Sequence, residues 1–234
     1  MQSISYSDPS GKLDAKPAKA RATPPTRKVI DAATRMFHWL FAFCFLGAYV
    51  TAESETFRLI HVTLGYTMAG LLVFRILWGL VGPKPVRLSA LFRKLTSAPE
   101  WLRGLLAVRS PSALWNINWK QGQNLLMSFA IVCLLLMVIP VTLTGYATYN
   151  EWGFRWLQKI HESFGEFYLF IVLAHLGLIA LLSLVRRKNQ AMPMITGNAP
   201  GPGPDLVRRD YGVIAVLLAT SVFGWWGWSL ITAI

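Results

Sequence analysis

Five stretches of this chain are predominantly apolar for about the length that crosses a bilayer, and polar segments rich in Lys and Arg separate them. They run over Thr34–Ala52, Ile60–Val81, Asn124–Tyr146, Ile160–Val185 and Tyr211–Ala233. A helix needs about 20 such residues to traverse the hydrocarbon. Strands of a membrane barrel would alternate apolar and polar residues instead. The pattern therefore predicts an all-α integral membrane protein.

The polar segments divide the chain further. Residues 1–33 are basic and Pro-containing, which predicts a disordered tail, with the first helix serving as an uncleaved signal-anchor. Residues 82–123 are too many for a simple turn, and Trp101, Leu102, Leu105, Leu106 and Val108 predict a short amphipathic helix lying on the membrane surface. The run Ala199-Pro-Gly-Pro-Gly-Pro204 predicts a linker over 199–210. The expected architecture is a four-helix core over 34–198 and a fifth, peripheral transmembrane helix over 211–234.

Composition agrees with this class. Hydrophobic residues make up 54% of the chain and charged residues only 15%, against about 25% charged in soluble domains. Lys and Arg total 23 against 11 acids, a formal charge of +12. That excess lies between the spans, so topology accounts for it and no nucleic-acid partner is expected. Lys84, Arg87, Arg93, Lys94, Arg103, Arg109 and Lys120 face Glu100 alone in the 82–123 segment, and the tail and 186–210 are basic too. The connection after the first span carries Glu53 and Glu55 against Arg58, and that after the third has Glu151 against Arg155 and Lys159. The positive-inside rule then places the N-terminus in the cytoplasm and the C-terminus outside. Cys44 and Cys133 fall within spans and read as small buried side chains. The chain lacks a Cys-x-x-Cys-His run for covalent haem and a cysteine set for an iron–sulfur cluster.

Candidate chemistry rests on four histidines, His38, His61, His161 and His175, all within spans or at their ends. Ionisable side chains are costly in a membrane and mark functional paths there. His161 and His175 are fourteen residues apart, ~3.9 turns and ~21 Å along one helix face. With the alternating direction of the spans, His38 and His175 fall level near the inner surface, and His61 and His161 level near the outer one. Two bis-histidine sites follow. Zinc would need three or four ligands at each, whereas a haem brings four nitrogens of its own and needs two axial ligands. The pattern thus predicts two b haems.

Nearby residues extend that expectation. Gly65 and Gly165 each follow a histidine by four residues, on the same helix face, where a missing side chain leaves room for a porphyrin. Ordinary small-residue helix packing would account for them equally well. Arg75, fourteen residues after His61, and Arg35, one turn before His38, are candidate partners for haem propionates. Snorkelling to the headgroups is the alternative for both. Arg155 and Lys159 could serve the outer site or simply be surface charges.

The segments Arg35-Met-Phe-His38-Trp39, His61-x-x-x-Gly65-Tyr66 and Arg75-Ile-Leu-Trp78-Gly79 resemble the bacterial membrane di-haem cytochrome b family. So do His161 and His175 with the later Ala191-Met-Pro-Met-Ile-Thr-Gly197. The family includes small b-type cytochromes and the cytochrome b subunits of nickel–iron hydrogenases, and the resemblance covers roughly residues 30–198. It implies a four-helix core with two b haems that exchanges electrons with membrane quinone and a periplasmic partner. Such a partner would be a c-type cytochrome or a dehydrogenase or hydrogenase subunit. An electron-transfer subunit is the leading expectation. A quinone-linked superoxide oxidase and a non-redox transporter or scaffold are the alternatives.

Overall fold

The first span starts at a buried carboxylate. Asp31 is 0% exposed; its side chain accepts from Thr34 N at 2.8 Å, from Thr34 Oγ1 at 2.8 Å and from Trp78 Nε1 at 3.2 Å. The first two bonds form the N-cap that satisfies an otherwise orphaned helix donor. The third ties the start of α1 (Ala32–Thr51) to the end of α2 (Arg58–Val81). In this computed structural model residues 25–107, 109–110, 117–153 and 155–232 are described.

After α2 come two short helices, α3 (Leu88–Leu95) and α4 (Ala98–Leu106), then the long α5 (Trp119–Tyr149) and α6 (Arg155–Arg186). A single turn, α7 (Met192–Thr196), precedes the last helix, α8 (Gly212–Ile231). Five of these helices are long and apolar enough to cross a membrane: α1, α2, α5, α6 and α8. The protein is an all-α, multi-pass membrane protein. The expected spans are met within a few residues, with α5 and α6 extended by one or two turns beyond their apolar cores.

Helix periodicity explains the core. Phe37, Leu40, Cys44 and Ala48 recur along one face of α1, and Leu64, Met68 and Leu71 along one face of α2. They pack with Val138 of α5, Tyr168 of α6 and Val222 of α8. Helix α2 packs on α1 and α5, and α5 on α6. Both cysteines are free, Cys44 buried and Cys133 half-buried. Large apolar side chains such as Phe129, Leu143, Phe170 and Leu184 are exposed, which suits a surface solvated by lipid tails.

Three features differ from the expected outline. The 82–123 segment folds two helices rather than one, with Trp101 of α4 donating to Asn118 O at 3.2 Å across the start of α5. Residues 1–24 and Val108 lie outside the described residues, but the end of the basic tail is ordered: β1 (Thr26–Lys28) pairs antiparallel with β2 (Asn198–Pro200). The Pro/Gly linker is likewise anchored. Val207 is 1% exposed, Asp205 accepts from Lys28 N at 2.6 Å, and Asp210 lies 3.4 Å from Lys28 Nζ and 3.6 Å from Arg35 Nη2. Gly197 makes the junction possible. Its φ of +82° is left-handed, and a Cβ there would stand 2.9 Å from Ile30 O. Helix α8 consequently returns against α1 and α2, where Trp226 Nε1 donates to Thr67 Oγ1 at 2.9 Å.

Candidate functional site

The structure brings His61, at the start of α2, against His161, in the second turn of α6. Their ring centroids are 6.0 Å apart with planes at 87°. An ion held between two imidazoles needs about 2 Å to each nitrogen plus the half-width of each ring, about 6 Å between ring centres. The observed spacing fits one shared iron. Each ring is also oriented from behind. His61 Nδ1 lies 2.8 Å from Ala48 O, and His161 Nδ1 lies 3.1 Å from Val141 O. A carbonyl can only accept, so Nδ1 carries the proton in both rings and Nε2 keeps its lone pair. That is the tautomer in which a ligating histidine is held by a backbone carbonyl. Thr144 Oγ1 donates to Pro140 O at 2.6 Å and stands 3.2 Å from His161 Nδ1 as a second acceptor.

His38 of α1 and His175 of α6 are both half-buried and lie near one another. Both Nδ1 atoms are buried without a hydrogen-bond partner. Buried polar atoms are rarely left so; unlike His61 and His161, these two rings have no acceptor behind Nδ1 among the described residues. Trp39 stands edge-on to His38 at 5.2 Å and donates through Nε1 to Met194 O at 3.2 Å, so α7 closes over this end of the bundle. Among the described residues no three His, Cys, Asp or Glu side chains converge as a metal cage. The donor set is two imidazoles at each place, which suits a group that supplies its own equatorial ligands.

Two glycines lie one turn beyond the first pair of histidines. A Cβ built on Gly65 or Gly165 meets nothing within 4 Å, so neither glycine is there for close helix packing. Gly145 of α5 differs: a Cβ there would lie 2.8 Å from His161 Cε1. Gly145, Thr144 and the carbonyls of Ala48 and Val141 escaped sequence reasoning. A small Thr-Gly pair in an apolar span is a weak signal, and backbone carbonyls give none.

The two arginines are turned largely to protein groups. Arg75, 9% exposed, donates through Nη2 to Val86 O at 3.0 Å and lies within Coulombic range of Asp31. Arg35 donates through Nη1 to Ile195 O at 3.1 Å and approaches Asp210. Arg75 Nη1 and Arg35 Nε remain buried without partners, so each keeps one donor for an acidic group. Arg155 and Lys159 are exposed.

Four histidines in a bundle of membrane-spanning helices, one pair of rings 6.0 Å apart, with no cage of three or more metal donors among the described residues, suit a membrane cytochrome of the b class. The chain belongs to the prokaryotic cytochrome b561 family, whose family model matches residues 29–197. No curated protein and no solved structure matches it. Membership implies binding of haem b and electron transfer in the membrane. The match ends at Gly197, so the anchored linker and α8 lie beyond it.

Proposed function

We propose that the protein carries two haem b groups, one on His61 and His161 and the other on His38 and His175, and passes electrons across the membrane between a periplasmic redox partner and quinone. The observation that carries this reading is the 6.0 Å spacing of His61 and His161 with both Nδ1 atoms committed to carbonyls. Each haem would supply a one-electron redox centre in the low-dielectric interior. The protein supplies four imidazoles, two of them (His61 and His161) oriented through Nδ1 by backbone carbonyls, open space beside Gly65 and Gly165, and buried donors on Arg35 and Arg75 for the propionates. Two imidazoles at an iron fill both axial positions, which suits electron transfer rather than oxygen binding. Basic loops at one end of the bundle support a cytoplasmic N-terminus, with which His61 and His161 would lie towards the periplasm.

The test is haem quantification on the purified chain, with a reduced-minus-oxidised spectrum. Two low-spin b haems per chain are expected. A single haem, or none after expression with ample haem, would overturn the two-site reading.

A further inference from the structure

At the end of the bundle where α5 begins and α6 finishes, a cleft of about 550 Å³ is lined by Lys120, Gln123, Arg186, Lys188, Asn189 and Gln190, with no carboxylate among its lining residues. Arg186 is held there with no anionic partner among the described residues. Its Nε donates to Gln123 Oε1 at 2.7 Å, a neutral acceptor, and its Nη2 is buried with no partner at all. A charged group out of water is favourable only when paired and hydrogen-bonded, so the half-buried Arg186, with the exposed Lys120 and Lys188 at the rim, forms a setting that an anion completes. Lys120 also lines a neighbouring cavity of about 260 Å³ with Lys94, Ser97 and Asn118, which extends the cationic surface.

Position identifies the anion. The cleft joins the ends of two membrane-spanning helices, and exposed apolar side chains lead away from it into the bilayer region: Leu126 and Phe129 on α5, Leu184 and Val185 on α6. A free phosphate would use the cations and leave that apolar surface idle. We propose that this cleft binds the phosphate of an anionic phospholipid, with the acyl chains lying along α5 and α6. Basic pockets between transmembrane helices suit such headgroups. A zwitterionic lipid would bring its own ammonium against Lys120 and Lys188.

The test uses full-length, haem-loaded protein stripped of lipid in detergent and titrated with dioctanoyl phosphatidylglycerol, dioctanoyl phosphatidylcholine or inorganic phosphate, with bound species counted by native mass spectrometry. Phosphatidylglycerol should bind about tenfold more tightly than phosphatidylcholine, and Arg186→Gln with Lys188→Gln should weaken it by about tenfold or more. The visible spectrum should stay unchanged. If the double variant does not accumulate, Lys120→Gln with Lys188→Gln, both at exposed positions, asks the same question. Equal binding of the two lipids, unaltered binding by the variants, or displacement of phosphatidylglycerol by an equal concentration of inorganic phosphate would overturn the proposal.

Discussion

Phe45 on α1 and Tyr168 on α6 meet edge to face, with ring centroids 4.8 Å apart and planes at 90°. Phe45 follows His38 by seven residues, and Tyr168 lies seven residues from both His161 and His175, about 10 Å along the helix in each case. The aromatic contact therefore bridges α1 and α6 at mid-depth, between the two histidine pairs. Tyr168 is 1% exposed, so this bridge also sets how far apart the two ligand-bearing helices stand.

Replacing Tyr168 separates packing from polarity. Tyr168→Ala should lower stability by about 3–5 kcal/mol, the cost of a large cavity in a packed core. Tyr168→Phe keeps the ring contact and should cost less than about 1.5 kcal/mol. Thermal unfolding followed by the haem absorbance of both variants measures this, and equal losses would show that the hydroxyl rather than the ring matters.

The glycines give a cleaner probe of cofactor space. A Cβ at Gly65 or Gly165 meets none of the described protein atoms within 4 Å, so Gly65→Leu and Gly165→Leu introduce their Cβ without a clash in the polypeptide. Both variants should accumulate in the membrane at ordinary levels yet carry about half the haem, because the added side chain occupies space reserved for the porphyrin. Full haem content in both would remove the glycines from the site.

Gly145→Val acts by a different route. Its Cβ would press on His161 Cε1, 2.8 Å away, and turn the ring from Val141 O. Only the haem assigned to His61 and His161 should be lost or become high-spin, while the second keeps its spectrum. Low-temperature absorbance and electron paramagnetic resonance distinguish these outcomes.

At the opposite end, Asp31→Ala removes the N-cap of α1 and the partner of Trp78 together. The expected loss is about 2–4 kcal/mol, from a missing cap and newly unpaired buried donors. Asp31→Asn keeps an acceptor for Thr34 N and should lose less. Because Asp31 stands well before His38, haem content per folded chain should be unchanged in both, which haem-to-protein ratio after purification checks.

Much of this fold was visible in the order of residues because a bilayer imposes simple demands. The five spans follow from continuous apolarity, and the ends of α5 and α6 were underestimated because Trp119–Gln123 and Arg155–Lys159 are polar turns that carry a helix on beyond its apolar core. The proximity of His61 to His161 followed from counting turns and alternating span direction. What counting could not reach was the backbone: the carbonyls of Ala48 and Val141 that orient the rings carry no side-chain signature. The linker was misread for a related reason. Pro and Gly mark 199–204 as irregular, but its anchoring depends on Asp205, Val207 and Asp210 meeting Lys28 and Arg35, a pairing across more than 170 residues for the first of them. Asp31, which caps α1 and bonds Trp78, entered no expectation drawn from the sequence.

The central claim is the pairing of ligands, and single-histidine variants test it most directly. Spectra and haem content of His38→Ala, His61→Ala, His161→Ala and His175→Ala would be compared in one membrane background. The account predicts that His61→Ala and His161→Ala lose the same spectral component, that His38→Ala and His175→Ala lose the other, and that each retains one haem per chain. Loss of one common component from His38→Ala and His61→Ala, or retention of both haems in any of the four, would contradict it.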